Sequence, residues 1–183
     1  TIRNTLFVNR ANPAWDASIA QGDNRSQIAL TTGFEQRRFQ DYTLHGRVNL
    51  SQRWSAETDV VRSFKNTDNQ AFDNRDFQIA TWNAGPKLTW LPSRSFRITG
   101  TVKWKDSRNA IGEQEKATQN DWNTELTWNP QAKQNVQGFR AATSLRAKFT
   151  LANIQYTGQA NTAVAFTMLE GLQDGKNYLW SLN

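Results

Sequence analysis

Residues 96–105 read "FRITGTVKWK". Phe96, Ile98, Gly100, Val102 and Trp104 alternate with Arg97, Thr99, Thr101, Lys103 and Lys105. A helix would bring residues three and four apart to one side and mix the two sets. A β-strand sends successive side chains to opposite faces and keeps them apart. The segment is therefore a strand with one face for an apolar medium and one for water.

The same period of two runs outward through the chain, and helical periodicity is nearly absent. In "YTLHGRVNL" (42–50), Tyr42, Leu44, Gly46, Val48 and Leu50 oppose Thr43, His45, Arg47 and Asn49. In "WSAETDVVRSF" (54–64), Trp54, Ala56, Thr58, Val60, Arg62 and Phe64 share a face, with Glu57, Asp59 and Val61 opposite. "DWNTELTW" (121–128) sets Trp122, Thr124, Leu126 and Trp128 against Asn123, Glu125 and Thr127. "FRAATSLRAKFTL" (139–151) sets Phe139, Leu145, Phe149 and Leu151 against Arg140, Arg146 and Lys148.

The expected strands are 2–9, 14–20, 26–36, 39–51, 53–66, 76–91, 95–106, 120–129, 137–156, 160–169 and 176–183. They form an all-β, antiparallel up-and-down meander of about 10–12 strands, read as one domain over 1–183. Both ends already alternate, "TIRNTLFVN" and "KNYLWSLN", so the sequence reads as cut inside strands.

The connections alternate in length. "LSQRW", "LPSRS", "NPQAKQN" and "LQDGKN" are tight-turn sequences. "KNTDNQAFDNRD" and "KDSRNAIGEQEKATQN" read as long polar loops at the other end. Short turns at one end, long loops at the other and strands past ten residues are the pattern of a transmembrane β-barrel, complete or in part. The aromatics fit two interfacial girdles. Trp54, Trp90, Phe96 and Trp128 stand beside short turns; Tyr42, Phe64, Trp104 and Trp122 stand near the opposite ends. Phe149 lies on the same expected lipid face.

Composition agrees with a wall wet on one side. Eight tryptophans coexist with a mean hydropathy of −0.75. No apolar run is long enough for a membrane-spanning helix. In hydrocarbon every backbone N–H and C=O must be paired, which a closed barrel does while only its outer face is apolar. The chain has no cysteine, which excludes disulfides and thiolate metal sites. Lys and Arg number 22 against 16 Asp and Glu, spread along the chain. Bases and aromatics lie on opposite faces, whereas a single-strand nucleic-acid platform would put both on one. No nucleic-acid partner is expected.

The residues "MLEGLQDGKNYLWSLN" (168–183), with the "NIQYTGQANT" stretch (153–162), resemble a segment near the end of large outer-membrane proteins of Bacteroidota-type bacteria. The resemblance covers roughly residues 137–183. It implies that Leu169, Glu170, Gly171, Leu172, Gly175, Lys176, Asn177, Tyr178, Leu179 and Trp180 join two late barrel strands, with a closing hairpin to follow. It also implies a place in the bacterial cell outer membrane, lipid and envelope proteins or lipoproteins as partners, and roles in nutrient uptake or secretion.

The polar face expected to line the interior carries His45, Arg47, Glu57, Asp59, Lys103, Glu125, Arg140, Arg146 and Lys148. His45 is the single histidine and lacks a recognisable serine partner. Glu57 and Asp59 are read as paired with basic residues on neighbouring strands. Asp68, Asp73 and Asp76 fit no EF-hand spacing. The expectation is a pore, scaffold or anchor without catalysis, cofactor or metal. A soluble Trp-rich β-sandwich that binds carbohydrate and an outer-membrane hydrolase using His45 are the alternatives. Leu145→Arg is expected to block membrane insertion and Arg146→Leu to permit it, read as heat-modifiable gel mobility after refolding in detergent.

Overall fold

The computed structural model describes residues 1–72, 75–111, 115–130 and 144–183. Among these, nine strands form one sheet: β1 (Ile2–Val8), β2 (Trp15–Leu30), β3 (Gly33–Asn49), β4 (Trp54–Asn69), β5 (Phe77–Ser93), β6 (Phe96–Asn109), β7 (Lys116–Trp128), β8 (Leu145–Thr157) and β9 (Gly175–Leu182). Each pairs antiparallel with its sequence neighbour, in the order β1 to β9. β1 and β9 are paired on one side only, so the sheet is open. The meander is as expected, with nine strands in place of about eleven.

Three departures from the expected strands stand out, and the first and third explain the count. The segments 14–20, 26–36 and 39–51 are two strands, joined at residues 31–32. Register runs unbroken from Trp15↔Val48 to Leu30↔Gly33. The polar runs "QGDNR" and "RRFQD" looked like connections because neither face is apolar there, yet backbone pairing does not need apolar side chains. For the same reason the expected long loops are short. β4 runs to Asn69 and β5 starts at Phe77; β6 runs to Asn109 and β7 starts at Lys116. Residues 137–143 of the expected strand 137–156 and most of "NPQAKQN" fall outside the described residues, Phe139 and Arg140 among them.

The third departure is at 160–169, which is not a strand. Residues Ala163–Leu169 form a helix, α1, within the β8–β9 connection. The Thr162 side chain accepts from the Ala165 N–H at 3.1 Å, a serviceable N-cap. Glu170 ends the helix in the left-handed region, φ 53°, and Gly171 follows at φ 82°. With no strand here, "LQDGKN" falls at the same end as the 70–76 and 110–115 connections, opposite to the expected side.

Helix α1 covers a small apolar patch on the otherwise polar face. Val164 and Met168 pack on Phe77, Ile79 and Ala117, with Tyr156 at the margin. Lys105, itself buried, donates to the Met168 carbonyl (3.3 Å) and to Glu170 Oε1 (2.6 Å). The cation thus satisfies a carbonyl at the helix C-terminus, where positive charge is favoured. Nearby turns are set by asparagines. Asn69 Oδ1 accepts from the N–H groups of Ala71 and Phe72, and Asn109 Oδ1 accepts from that of Gln78.

One ladder is interrupted. β5 and β6 pair at Ala84↔Trp104 and again at Lys87↔Thr101, but not between. Pro86 lies in that gap and has no N–H to donate. The β4–β5 ladder continues past it through Thr58↔Pro86.

Met168→Asp places a charge in the α1 contact and should release the helix. The expected result is faster proteolysis within residues 158–174, with the β-sheet circular-dichroism signal retained.

Candidate membrane-facing surface and polar face

Antiparallel register decides which side chains share a face. Starting from Leu44, the pairs Ile19↔Leu44, Leu44↔Val60 and Val60↔Ala84 place one residue of each strand on the same side. Ala84↔Trp104, Val102↔Trp122, Trp122↔Leu151 and Leu151↔Tyr178 carry that face to β9. All eight tryptophans fall on it: Trp15, Trp54, Trp82, Trp90, Trp104, Trp122, Trp128 and Trp180. They are 37–80 % exposed, so this face is no packed core. Tyr42, Phe96 and Phe149 join them, completing the set of girdle residues named from the sequence.

The aromatics form two rows. Trp15, Trp54 and Phe96 begin their strands and Trp128 ends its own. Trp54 stacks on Trp90, ring centroids 5.4 Å apart. The second row contains Tyr42, Phe64, Trp82, Trp104, Trp122 and Tyr178. Between the rows stand Leu44, Val48, Val60, Ala84, Leu88, Ile98, Val102, Leu126 and Phe149, and the one Asp, Glu, Lys or Arg there among the described residues is Arg62, level with Tyr42 and Trp82 at the inner border of the second row. From Trp90 to Trp82 the strand advances about 26 Å, about 20 Å along the normal for a strand tilted some 40°. An outer-membrane apolar band is about 25 Å tall.

The rows are placed asymmetrically. The first lies at the turns. Beyond the second, the strands continue with polar residues on both faces: Asp23, Arg25, Gln36, Arg38, Asn66, Asp68, Asp106 and Arg108 on the tryptophan face. The asymmetry expected from loop length is thus carried by strand length.

The opposite face holds His45, Arg47, Glu57, Asp59, Lys103, Glu125, Arg146 and Lys148, all the described residues named for the interior. Several of its charges are paired across strands. Arg47 binds Asp16. His45 Nδ1 lies 2.7 Å from Asp59 Oδ1, and its Nε2 lies 3.7 Å from Asp16 Oδ1. Lys87 donates to Glu57 (2.9 Å) and Arg146 to Glu125 (2.7 Å). Arg47 stands opposite Glu57 but turns to Asp16, a choice that sequence cannot reveal because both neighbours are in reach.

Ser18 stands opposite His45, but the ring nitrogens face Asp59 and Asp16, and among the described residues no serine bonds to it. His45, Glu57 and Asp59 bring one ligand atom each within 4.8 Å of the others. A cation there would compete with Lys87 for Glu57 and with the His45–Asp59 bond. Asp68 is on β4, Asp76 accepts from the Asn69 N–H at 2.7 Å, and Asp73 lies outside the described residues.

Two carboxylates beyond the second row are held below their ordinary range. Hydrogen bonds from Arg25 and then Arg38 do this to Asp23. At Glu35, burial pushes upward, but hydrogen bonds from Arg37 and Asn69 outweigh it. Comparison with family models, with curated proteins and with solved structures gives no match.

A lowered folded-state pKa stabilises the fold above the unfolded carboxylate value of about 4 and stops doing so as pH falls toward the folded value. Asp23→Asn should therefore be less stable than the parent at neutral pH. The difference should shrink as pH drops below about 4, measured by denaturant midpoints along an acid series.

Proposed function

We propose that this chain builds part of the wall of an integral outer-membrane β-barrel. The tryptophan face meets lipid and the ion-paired face meets a water-filled interior. One observation carries the reading: eight exposed tryptophans on one face, seven of them in two rows, bounding a band whose one charge among the described residues, Arg62, lies at its border. In water such a surface would drive association. At a bilayer the rings sit at the interfaces and the aliphatics in the hydrocarbon. A carbohydrate-binding sandwich would bury its apolar face under a second sheet, whereas the described residues form a single sheet.

Cross-strand ion pairs on the polar face suit a passive part: pore lining, scaffold or anchor for an envelope assembly serving uptake or secretion. The resemblance of residues 137–183 to Bacteroidota-type outer-membrane proteins supports that setting, with lipoproteins or other envelope proteins as partners. The free edges of β1 and β9 cannot face hydrocarbon unpaired, so further strands close the wall.

Adjacent residues on β4 test the orientation. Val60 lies mid-band on the tryptophan face and Val61 on the other. Val60→Arg should cost about 2–4 kcal/mol of folding free energy in vesicles, the depth-dependent cost of arginine near the midplane. Val61→Arg should cost far less. Equal effects, or folding of the parent to a monodisperse species in plain buffer, would sink the reading.

A further inference from the structure

Arg62 is the one charge at the border of the apolar band. It faces lipid in the reading above, on β4 within the second aromatic row. Its guanidinium carbon lies 5.0 Å from the Phe64 ring centroid and 5.1 Å from that of Trp82. Two rings thus hold the cation in place and restrict its rotamers, so little ordering remains to be done on binding.

The carboxylates of this face leave it alone. Asp23 is taken by Arg25 and Arg38, and Asp106 by Arg108 and Lys116. Asp68 stands six residues further along β4, about 20 Å away. Among the described residues, no ion pair includes Arg62.

The other side of Trp82 opens on an apolar groove of about 250 Å³. Trp82, Ala84, Trp104, Thr118 and Asn120 line it, and Asp106, opposite Trp82 and held by Arg108 and Lys116, closes its polar end. Alanine opposite Trp104 keeps the floor low. A fixed cation and an apolar groove therefore share one ring, with the cation at the level where headgroups lie.

We propose that Arg62 and the Trp82–Trp104 groove seat one anionic phospholipid. The phosphate sits on the guanidinium and a stretch of acyl chain lies in the groove. Arginine suits this because its planar fork meets phosphate oxygens in pairs while its face stays on the aromatic rings. The proposal rests on the membrane reading and adds a lipid class to it. A peptide or soluble anion would satisfy only half of the seat.

The test uses the full chain refolded in phosphatidylcholine vesicles that contain a minor fraction of phosphatidylglycerol. Either lipid carries brominated acyl chains, which quench tryptophans they touch. Bulk contact quenches the eight rings alike for both lipids, so extra quenching by brominated phosphatidylglycerol reports the seat. Enrichment of about fivefold at the site is expected for one interfacial cation. Arg62→Gln should abolish the excess, Arg62→Lys should keep part of it, and Trp104→Ala should reduce it. All three should fold as the parent does in pure phosphatidylcholine. Inorganic phosphate, at ionic strength matched with chloride, should leave the excess unchanged.

No excess in the parent, an excess that survives Arg62→Gln, or its removal by inorganic phosphate would overturn the proposal. Failure of the parent to fold in any bilayer is a different result. It would remove the membrane reading itself, and the lipid seat with it.

Discussion

The backbone ladder is the constraint on which everything else rests. Alternation within a strand says only that two faces exist. It becomes a surface when each strand meets the next without an odd slip, because a slip of one residue exchanges the faces. Here the pairing holds from β1 to β9. The one register shift comes after Trp90, beside a turn and past the apolar band. At Pro86 the ladder lapses, but it resumes in the register it left. Tryptophans from six strands can therefore be collected on a single side.

The polar face obeys a different rule. Several charges on this face are satisfied by other charges on the same face, and the sheet puts more than one within reach of each. Asp16, His45 and Asp59 come from three adjacent strands, with Arg47 joined at one end. Glu57 and Lys87 bridge the next pair of strands, and Glu125 and Arg146 another. Such pairs are weak where solvent reaches them. Their clearer effect is geometric: each tie crosses between strands and opposes sliding of one along the other.

What the sequence disclosed depended on contrast between the faces. Where lipid and water would meet opposite sides, as at 42–50, 54–64 and 96–105, alternation was plain and face assignments transferred residue by residue. Where both sides are wet, as at Asp23–Arg25 and Asn66–Asn69, alternation had nothing to alternate between, and strands were mistaken for loops. α1 was hidden for another reason. "AVAFTML" is too short for a helical period to outvote an apparent alternation, and it buries neighbours Val164 and Ala165 together with Met168. Thr162 before it and Glu170-Gly171 after it were the available signals. Individual ion pairs were not legible, because diagonal and direct neighbours compete and only coordinates choose between them.

Lys105 gives the β8–β9 connection a property its length would not suggest. Residues 158–174 would close a long loop if free, and a long free loop can sweep across the face beneath it. Because Lys105 grips the segment at Met168 and Glu170, the span is divided into two short tethers on either side of a pinned helix. Each tether has little entropy to lose. The segment is therefore a fixed ledge on the polar face of the sheet, rather than a flap.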